Sequence, residues 1–326
     1  MEPRVARLGE GRGRSGAPSN PGLSSSKACL GVFLTGSSNR HLKMEVAKTI
    51  ELIRSLVKTA RSGGKIIGLV PTMGALHVGH ISLMEAAVKE CDFVVVSIFV
   101  NPTQFVPGED FEKYPRPLGA DLEICTNAGI DVVFTPTPEQ MYPAENLTWV
   151  NVEKLTESLC GQFRPGHFRG VTTVCTKLFN IVAPDIAYFG QKDAQQAFVI
   201  KRMVADLNMP LEIVICPTVR EPNGLAVSSR NKYLTEQQKK DAANIYKSLQ
   251  KCRRMIDAGV KETTEIITGM RKILQQVPSI EIEYISIVDA ETLRNIDRIA
   301  GKVLAAVAVR IGPARLIDNI LVDTAK

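Results

Sequence analysis

Between residues 65 and 104 the chain alternates two short apolar runs with one amphipathic stretch. Residues 65–70 carry Ile66, Ile67, Leu69 and Val70, bounded by Ser62-Gly63-Gly64 and by Pro71. A run apolar on both sides suits a strand buried on both faces of a parallel sheet. Residues 80–89 follow with Ile81, Met84, Ala87 and Val88 at helical spacing, and residues 93–100 form a second apolar run ending at Asn101-Pro102. Strand, helix, strand makes a βαβ unit with a right-handed crossover. Ligands of such sheets lie beyond the carboxyl ends of the strands. The pattern predicts that residues 71–80 and 101–104 flank one mouth.

The same reading extends over the rest of the chain. Met44 opens a helical pattern through Val46, Ile50, Leu52, Ile53, Leu56 and Val57. A polar, proline-containing loop over 105–117 carries Asp110, Glu112, Tyr114 and Arg116, and leads into a helix over 118–128 and a third strand over 130–134. A helix is expected over 151–159, capped by Asn151 with Glu153 in its first turn. Helix 170–181, strand 185–189, helix 194–207 and strand 211–216 follow. From about residue 219 the order changes to helices over 235–259 and 261–276, then strands over 280–288 and 302–310, with 316–322 a candidate third. Helices followed by strands indicate a separate α+β unit. The expected fold is α/β: a Rossmann-like parallel-sheet N-terminal domain over 44–218, and a smaller α+β C-terminal domain over 219–326 serving as a lid.

Charge changes this picture mainly at the N-terminus. The net charge is +6, but residues 1–43 hold seven Lys and Arg against Glu2 and Glu10, so the remainder is near neutral. No basic stripe interleaved with aromatics appears, which argues against a nucleic-acid partner. No apolar run is long enough for a membrane span. Residues 1–43 are rich in Gly, Ser and Arg and are expected to be a disordered extension. A transit peptide has similar composition; an inert extension ahead of a start at Met44 is favoured, with the product cytoplasmic. Seven scattered cysteines with no CxxC fit free thiols in a reducing compartment.

Four loops carry candidate chemistry. In the first, Gly74 lets the backbone approach a ligand and Gly79 opens the helix. Its first-turn N–H groups and the helix dipole suit a phosphate. His77 and His80 lie three apart and can face one group; imidazole donates to phosphoryl oxygen, and its protonated form adds charge. Half a metal site and two incidental surface histidines are the alternatives, although no Cys or acidic cluster stands at matching spacing. In the second, Arg164, His167 and Arg169 surround Pro165-Gly166; arginine can fork to a carboxylate or phosphate, or the loop ties down its own ends. In the third, Lys192 offers a compact charge, Asp193 can cap the following helix and Gln196 reaches back one turn; a capping motif with a solvated lysine is the alternative. In the fourth, Ser228, Ser229 and Arg230 suit the β- and γ-phosphates of a nucleotide, the alternative being an N-cap, which Thr235 fills better. The absence of GxxxxGK[ST] excludes a P-loop kinase.

PTMGALHVGH at 71–80 resembles the HIGH-type signature of the nucleotidylyl-transferase superfamily. With SIFVNPTQF at 97–105 it is similar to the longer form found in the pantoate–β-alanine ligase family. The likeness runs from Met44 onward through RPGHF at 164–168, FGQKDAQQ at 189–196 and the closing IGPARLIDN. The family often places an aromatic where Ala194 stands. The resemblance implies a two-step ligation through pantoyl adenylate, with ATP as co-substrate and Mg2+ bridging its phosphates. It implies that His77 and His80 contact the phosphates, with His80 the proton donor, and that Lys192, Ser228, Ser229 and Arg230 complete the catalytic set. ATP would be held by Met73, Gly74, Ala75, Leu76, His77, Val78, Gly79 and His80, by Gly190, Gln191, Lys192 and Asp193, and by Val219, Val227, Ser228, Ser229 and Arg230. Pantoate would be held by Gln104 and Gln196, with Gln104 also near β-alanine and Asn101, Tyr114 and Arg164 in support. Asp121 is nominated as a Mg2+ ligand, the alternative being an exposed helix carboxylate. A homodimer is implied. Two rivals stand beside this reading: a cytidylyl- or adenylyl-transferase acting on a phosphorylated alcohol, which would lack the paired glutamines and RPGHF, and an RNA-binding module on the same sheet.

Overall fold

The computed structural model describes residues 44–106, 108–109 and 111–324. The expectations for residues 1–43 and for Asp110 lie outside the described residues. The chain runs β1 (Glu45–Ala47), α1 (Ile50–Ser62), β2 (Ile67–Thr72), α2 (Val78–Glu90), β3 (Phe93–Ile98), α3 (Leu118–Asn127), β4 (Val132–Phe134) and α4 (Pro138–Met141). It continues with α5 (Cys160–Phe163), α6 (His167–Val182), β5 (Ile186–Gly190), α7 (Ala194–Asp206), β6 (Glu212–Cys216), α8 (Glu236–Asp257), α9 (Thr263–Gln275), β7 (Glu281–Asp289), β8 (Lys302–Ile311) and β9 (Ala314–Asp323).

Six parallel strands form one sheet in the order β1-β4-β3-β2-β5-β6, and three antiparallel strands form a second, β7-β8-β9. The α/β sheet with a smaller C-terminal α+β part is therefore as expected. Both faces of the parallel sheet are covered, which is why its strands read as continuous apolar runs. Ile67, Leu69 and Val95 pack with α1, α6 and α7 on one side. Val70, Val94 and Val96 pack with α2 and α3 on the other. Beside β2 the chain order reverses: β3 lies on one flank and β5 on the other. A crevice opens at the carboxyl ends of the strands at such a switch point.

Two local expectations fail for identifiable reasons. Residues 45–47 are a strand paired in parallel with β4, not the start of a helix. The helix begins at Ile50, where Thr49 Oγ1 accepts from Leu52 N–H. Strand pairing from elsewhere in the chain overrides the local periodicity. Residues 151–159 form no regular helix and Asn151 caps nothing; only the short α5 follows. Lys154 and Leu159 take φ of 66° and 50°, which an α-helix does not admit. Val152, Leu155 and Leu159 nonetheless bury into the core. The segment is pinned by Gln195, which donates to the carbonyls of Leu155 and Ser158 and accepts from Cys160 N–H.

The C-terminal part follows its periodicity closely. Thr235 and Gln238 form a reciprocal capping box at the start of α8. The apolar side of α8 and α9 packs on β7 and β8 in a separate core. The candidate strand at 316–322 extends to Ala314–Asp323 and pairs along all of β8.

Candidate active site

The first loop is shaped by its own histidines. His77 is the N-cap of α2, and its Nδ1 accepts from Gly79 N–H at 3.2 Å. His80 Nδ1 accepts from His77 N–H at 3.3 Å, closing a capping box built from two imidazoles. A ring nitrogen that accepts carries no proton, so both rings are neutral with Nε2–H as the remaining donor. Burial, then the Lys192 charge, lowers the pKa of His77 to about 4. Burial, then His77 and Lys192, lowers His80 to about 3. The N–H groups of His77 and Gly79 are occupied, so the helix start offers a ligand imidazole Nε2–H in their place. His80, held neutral by burial, presents Nε2–H as its remaining hydrogen-bond donor.

Asp121, in the first turn of α3, holds the preceding turn. Its two carboxylate oxygens accept from Ala75 N–H at 2.9 Å and Leu76 N–H at 2.8 Å. The side chain is 1% exposed. It is neither an exposed carboxylate nor an open metal ligand. Gly74 adopts φ 77°, and a Cβ there would meet Asp121 Oδ2 at 2.8 Å and Ile98 at 3.0 Å. The fold behind the loop alone is thus enough to require glycine here. Ala75 follows with φ 51°, a conformation that costs an L-residue roughly 1–2 kcal/mol.

Behind β3, Asn101 Nδ2 donates to Gln104 Oε1 and to Gly170 carbonyl, while its Oδ1 accepts from Tyr142 hydroxyl and Thr103. Asn101 is 1% exposed and fully engaged, so it orients Gln104. The Gln104 carboxamide also contacts Met73 sulfur at 3.0 Å. The 102–104 turn lies directly on α6: a Cβ on Gly170 would stand 2.3 Å from Thr103 carbonyl oxygen. The RPGHF loop closes this corner. Arg164 pairs with Glu109 and donates to His167 Nε2 at 2.9 Å. A guanidinium only donates, so His167 Nδ1–H must be the donor to Gln104 carbonyl at 2.7 Å. Burial, then Arg164, lowers His167 to about 4. Arg164 is therefore a latch on the 105–117 loop rather than a free fork for a carboxylate. Arg169 leaves the cluster and lies over Trp149, 4.7 Å from the ring centre.

Lys192 and Asp193 lie in a single 3-10 turn between β5 and α7. Asp193 makes no capping bond, contrary to expectation; it stands 3.7 Å from Lys192. Burial works to raise its pKa, but Lys192, Arg230, His167 and His80 outweigh it and hold the carboxyl below the usual range. Ser228 caps the turn Ser229–Tyr233, accepting from Arg230 N–H.

These loops line one cavity of about 250 Å3 at the switch point. Met73, His77, Gly79, His80, Asn101, Gln104, Tyr114, Arg164, Gly190, Lys192, Asp193, Gln196, Val219, Val227, Ser228, Ser229 and Arg230 all face it. A second cavity of about 580 Å3 opens toward β8 and β9 and shares Arg164, Lys192, Gln196 and Arg230 with the first. Gly74, Ala75, Leu76, Val78, Gln191 and Asp121 do not line the first: Leu76 is buried in the core, and Val78 is exposed. His167 and Thr218 line it without having been singled out as contacts, and Thr218 Oγ1 has no protein partner. His167 stood in the basic cluster; nothing in the sequence marks Thr218. Among the described residues no three His, Cys, Asp or Glu converge to hold a metal, and no helix is long and apolar enough to cross a membrane.

A sequence profile described as pantoate-beta-alanine ligase matches residues 45–321. A pantothenate synthetase of Moorella thermoacetica is 55% identical over 280 residues, covering 86% of this chain and 99% of that protein. The crystal structure of pantothenate synthetase from Thermus thermophilus superposes with TM-score 0.81 at 44% identity, covering 85% of this chain and 99% of that one. A pantoate-beta-alanine ligase from Francisella tularensis, solved in complex with beta-gamma ATP and beta-alanine, superposes with TM-score 0.71 at 35% identity over 87% of this chain and 99% of that one. On a match spanning almost all of the described length, this chain belongs to the pantoate–β-alanine ligase family, whose reaction is the ATP-dependent formation of pantothenate.

Proposed function

We propose that the cavity at the sheet mouth performs this ligation in two steps, with its four loops in separate roles. A pantoate carboxylate oxygen attacks the α-phosphorus of ATP, the bond to the β-phosphate breaks, and pyrophosphate leaves. The amine of β-alanine then attacks the activated carbonyl, AMP leaves, and the amine loses a proton. One observation carries the reading: cationic and N–H donors from His77, His80, Lys192 and Arg230 share a single cavity with the carboxamides of Gln104 and Gln196. The Francisella complex supports ATP and β-alanine as its ligands.

The two imidazoles donate through Nε2–H to the phosphate oxygens as charge develops, already in the right tautomer before substrate arrives. Lys192 and Arg230, flanking Asp193, take the charge of the leaving pyrophosphate, with Ser228 and Ser229 beside them. Gln104 and Gln196 hold pantoate, and Asn101 and Arg164 support Gln104 from behind. Catalysis rests on positioning and charge stabilisation. Asp121 does not fit as a metal ligand, because it is buried, turns both oxygens to the loop backbone and does not line the cavity. Mg2+ is expected to arrive on the triphosphate with most of its waters. We further propose a lid role for residues 219–326, a homodimer, and a cytoplasmic location, the last supported by six buried free cysteines among the described residues.

The test is an initial-rate assay of AMP and pyrophosphate release. AMP release and sustained turnover are expected to require both pantoate and β-alanine, whereas pyrophosphate release in the first step requires pantoate alone. Turnover of a phosphorylated alcohol without them would point to the related transferase chemistry instead. His80→Ala should reduce pantoate-dependent adenylate formation by at least ~10²-fold while the fold persists by circular dichroism. An active variant would refute its role.

A further inference from the structure

The IGPARLIDN stretch ends on the two polar side chains that β9 buries. Asp318 and Asn319 are each 4% exposed. Asn319 does not bond within its own sheet through its side chain. Its Nδ2 donates to the backbone carbonyls of Gln191 and Lys192, both at 2.9 Å, and its Oδ1 accepts from Gln191 Nε2 at 3.4 Å. Asp318 receives both terminal nitrogens of Arg220. That guanidinium lies on Tyr246, 3.8 Å from the ring centre, and donates also to Gly224 carbonyl. One dipeptide at the sheet edge therefore grips two separate turns of the mouth.

The Gln191–Asp193 turn needs such a grip. It has no side-chain cap at its start, and Asp193 provides none for α7. Two of its carbonyls find their donors on Asn319, and a primary amide has two hydrogens to give. The Arg220 turn leads by an isolated bridge between Arg220 and Ala226 into Val227–Arg230. We infer that Asp318-Asn319 is a positioning pair: it sets the distance between the Lys192 turn and the Arg230 loop so that both charges meet one triphosphate. The inference rests on the reading of Lys192 and Arg230 as triphosphate contacts. Neither Asp318 nor Asn319 touches the reacting atoms in this scheme.

The experiment separates the two chemical steps. Pantoate-dependent exchange of labelled pyrophosphate into ATP reads adenylation. Aminolysis of preformed pantoyl adenylate by β-alanine reads the second step, which has no pyrophosphate to hold. Asn319→Asp keeps the shape but turns an oxygen toward two carbonyls. Exchange is expected to fall ~10²-fold, with the KM for ATP raised about tenfold and aminolysis within about threefold of the parent. Asn319→Ser keeps one donor and should fall between; it carries the test if the aspartate variant does not fold. Equal loss in both steps, or normal exchange in either folded variant, overturns the inference. Lys192→Ala serves as the control. If it exchanges normally, the underlying reading is wrong. If it abolishes exchange while the Asn319 variants exchange normally, only the positioning role fails.

Discussion

The mouth of the parallel sheet and the C-terminal three-stranded sheet bury polar groups for different ends. At the mouth, Asn101, Gln104, Asp121 and His167 are all buried, and their partners are backbone groups and side chains of neighbouring loops. Asn101 and His167 hold Gln104, which faces the cavity, and Asp121 holds the turn that precedes His77. In the C-terminal sheet, β8 is apolar from Val303 to Val309. The buried polar residues of its three strands are Asp318 and Asn319, and both reach out of the sheet. One region lines the cavity; the other reaches two of its loops through Asp318 and Asn319. The comparison teaches that a buried carboxylate has no fixed meaning: Asp121 shapes a loop, whereas Asp318 neutralises a cation.

That contrast is broken most directly by removing the two carboxylates in turn. Asp318→Ala leaves the half-buried Arg220 without its carboxylate; breaking a fully buried pair costs ~3–5 kcal/mol, and this one somewhat less because the guanidinium keeps some solvent. Chemical denaturation should show this as a large drop in stability. Asp121→Ala removes acceptors from two backbone N–H groups, about 1–3 kcal/mol each if they stay buried. It also releases the φ 51° residue Ala75, so adenylation should fall by more than the fraction unfolded explains. Should Asp121→Ala lose stability but keep full activity in its folded fraction, the loop-shaping role is wrong.

A smaller effect is expected at Gln104. Its side chain is oriented from both sides, by Asn101 and by Met73. Gln104→Ala should raise the KM for pantoate ~10–100-fold and leave that for ATP within about twofold, as expected when one charge-assisted hydrogen bond is lost. Equal loss for both substrates would indicate collapse of the mouth instead.

How far the sequence could be read follows the same division. The parallel strands were legible because burial on both faces leaves uninterrupted apolar runs, and α8 because Thr235 and Gln238 spell out its cap. The loops at strand ends do meet at one cavity, although Gly74, Ala75, Leu76, Val78 and Gln191 do not line it. What stayed hidden depends on partners distant in the chain. The strand at 45–47 exists because β4 pairs with it, and the 151–159 segment is bent by Gln195. The work of Asp121 is invisible without Ala75 and Leu76 beside it. His77 and His80 were placed correctly by spacing, but their charge state follows from burial and mutual hydrogen bonding, which spacing does not encode.

That charge state gives the most regional effect. His77, His80 and His167 have folded pKa values of about 4, 3 and 4, below the usual value near 6.5. Between about pH 4 and 6.5 the unfolded chain binds protons at these sites and the folded chain does not. Stability must then rise with pH across that window and fall as pH drops through it; above about pH 7 these groups contribute no slope. Each histidine contributes on the order of 1 kcal/mol per pH unit at most. No histidine lies beyond residue 167 in the sequence, so acid should loosen the mouth before the C-terminal sheet. Hydrogen exchange at about pH 5 and pH 7, corrected for intrinsic rates, should show faster opening around residues 77–81 and 104 but little change in β7–β9. His167→Gln should flatten the pH slope of stability by roughly a third. Equal acid loosening of both regions would mean that other groups, not these imidazoles, set the response.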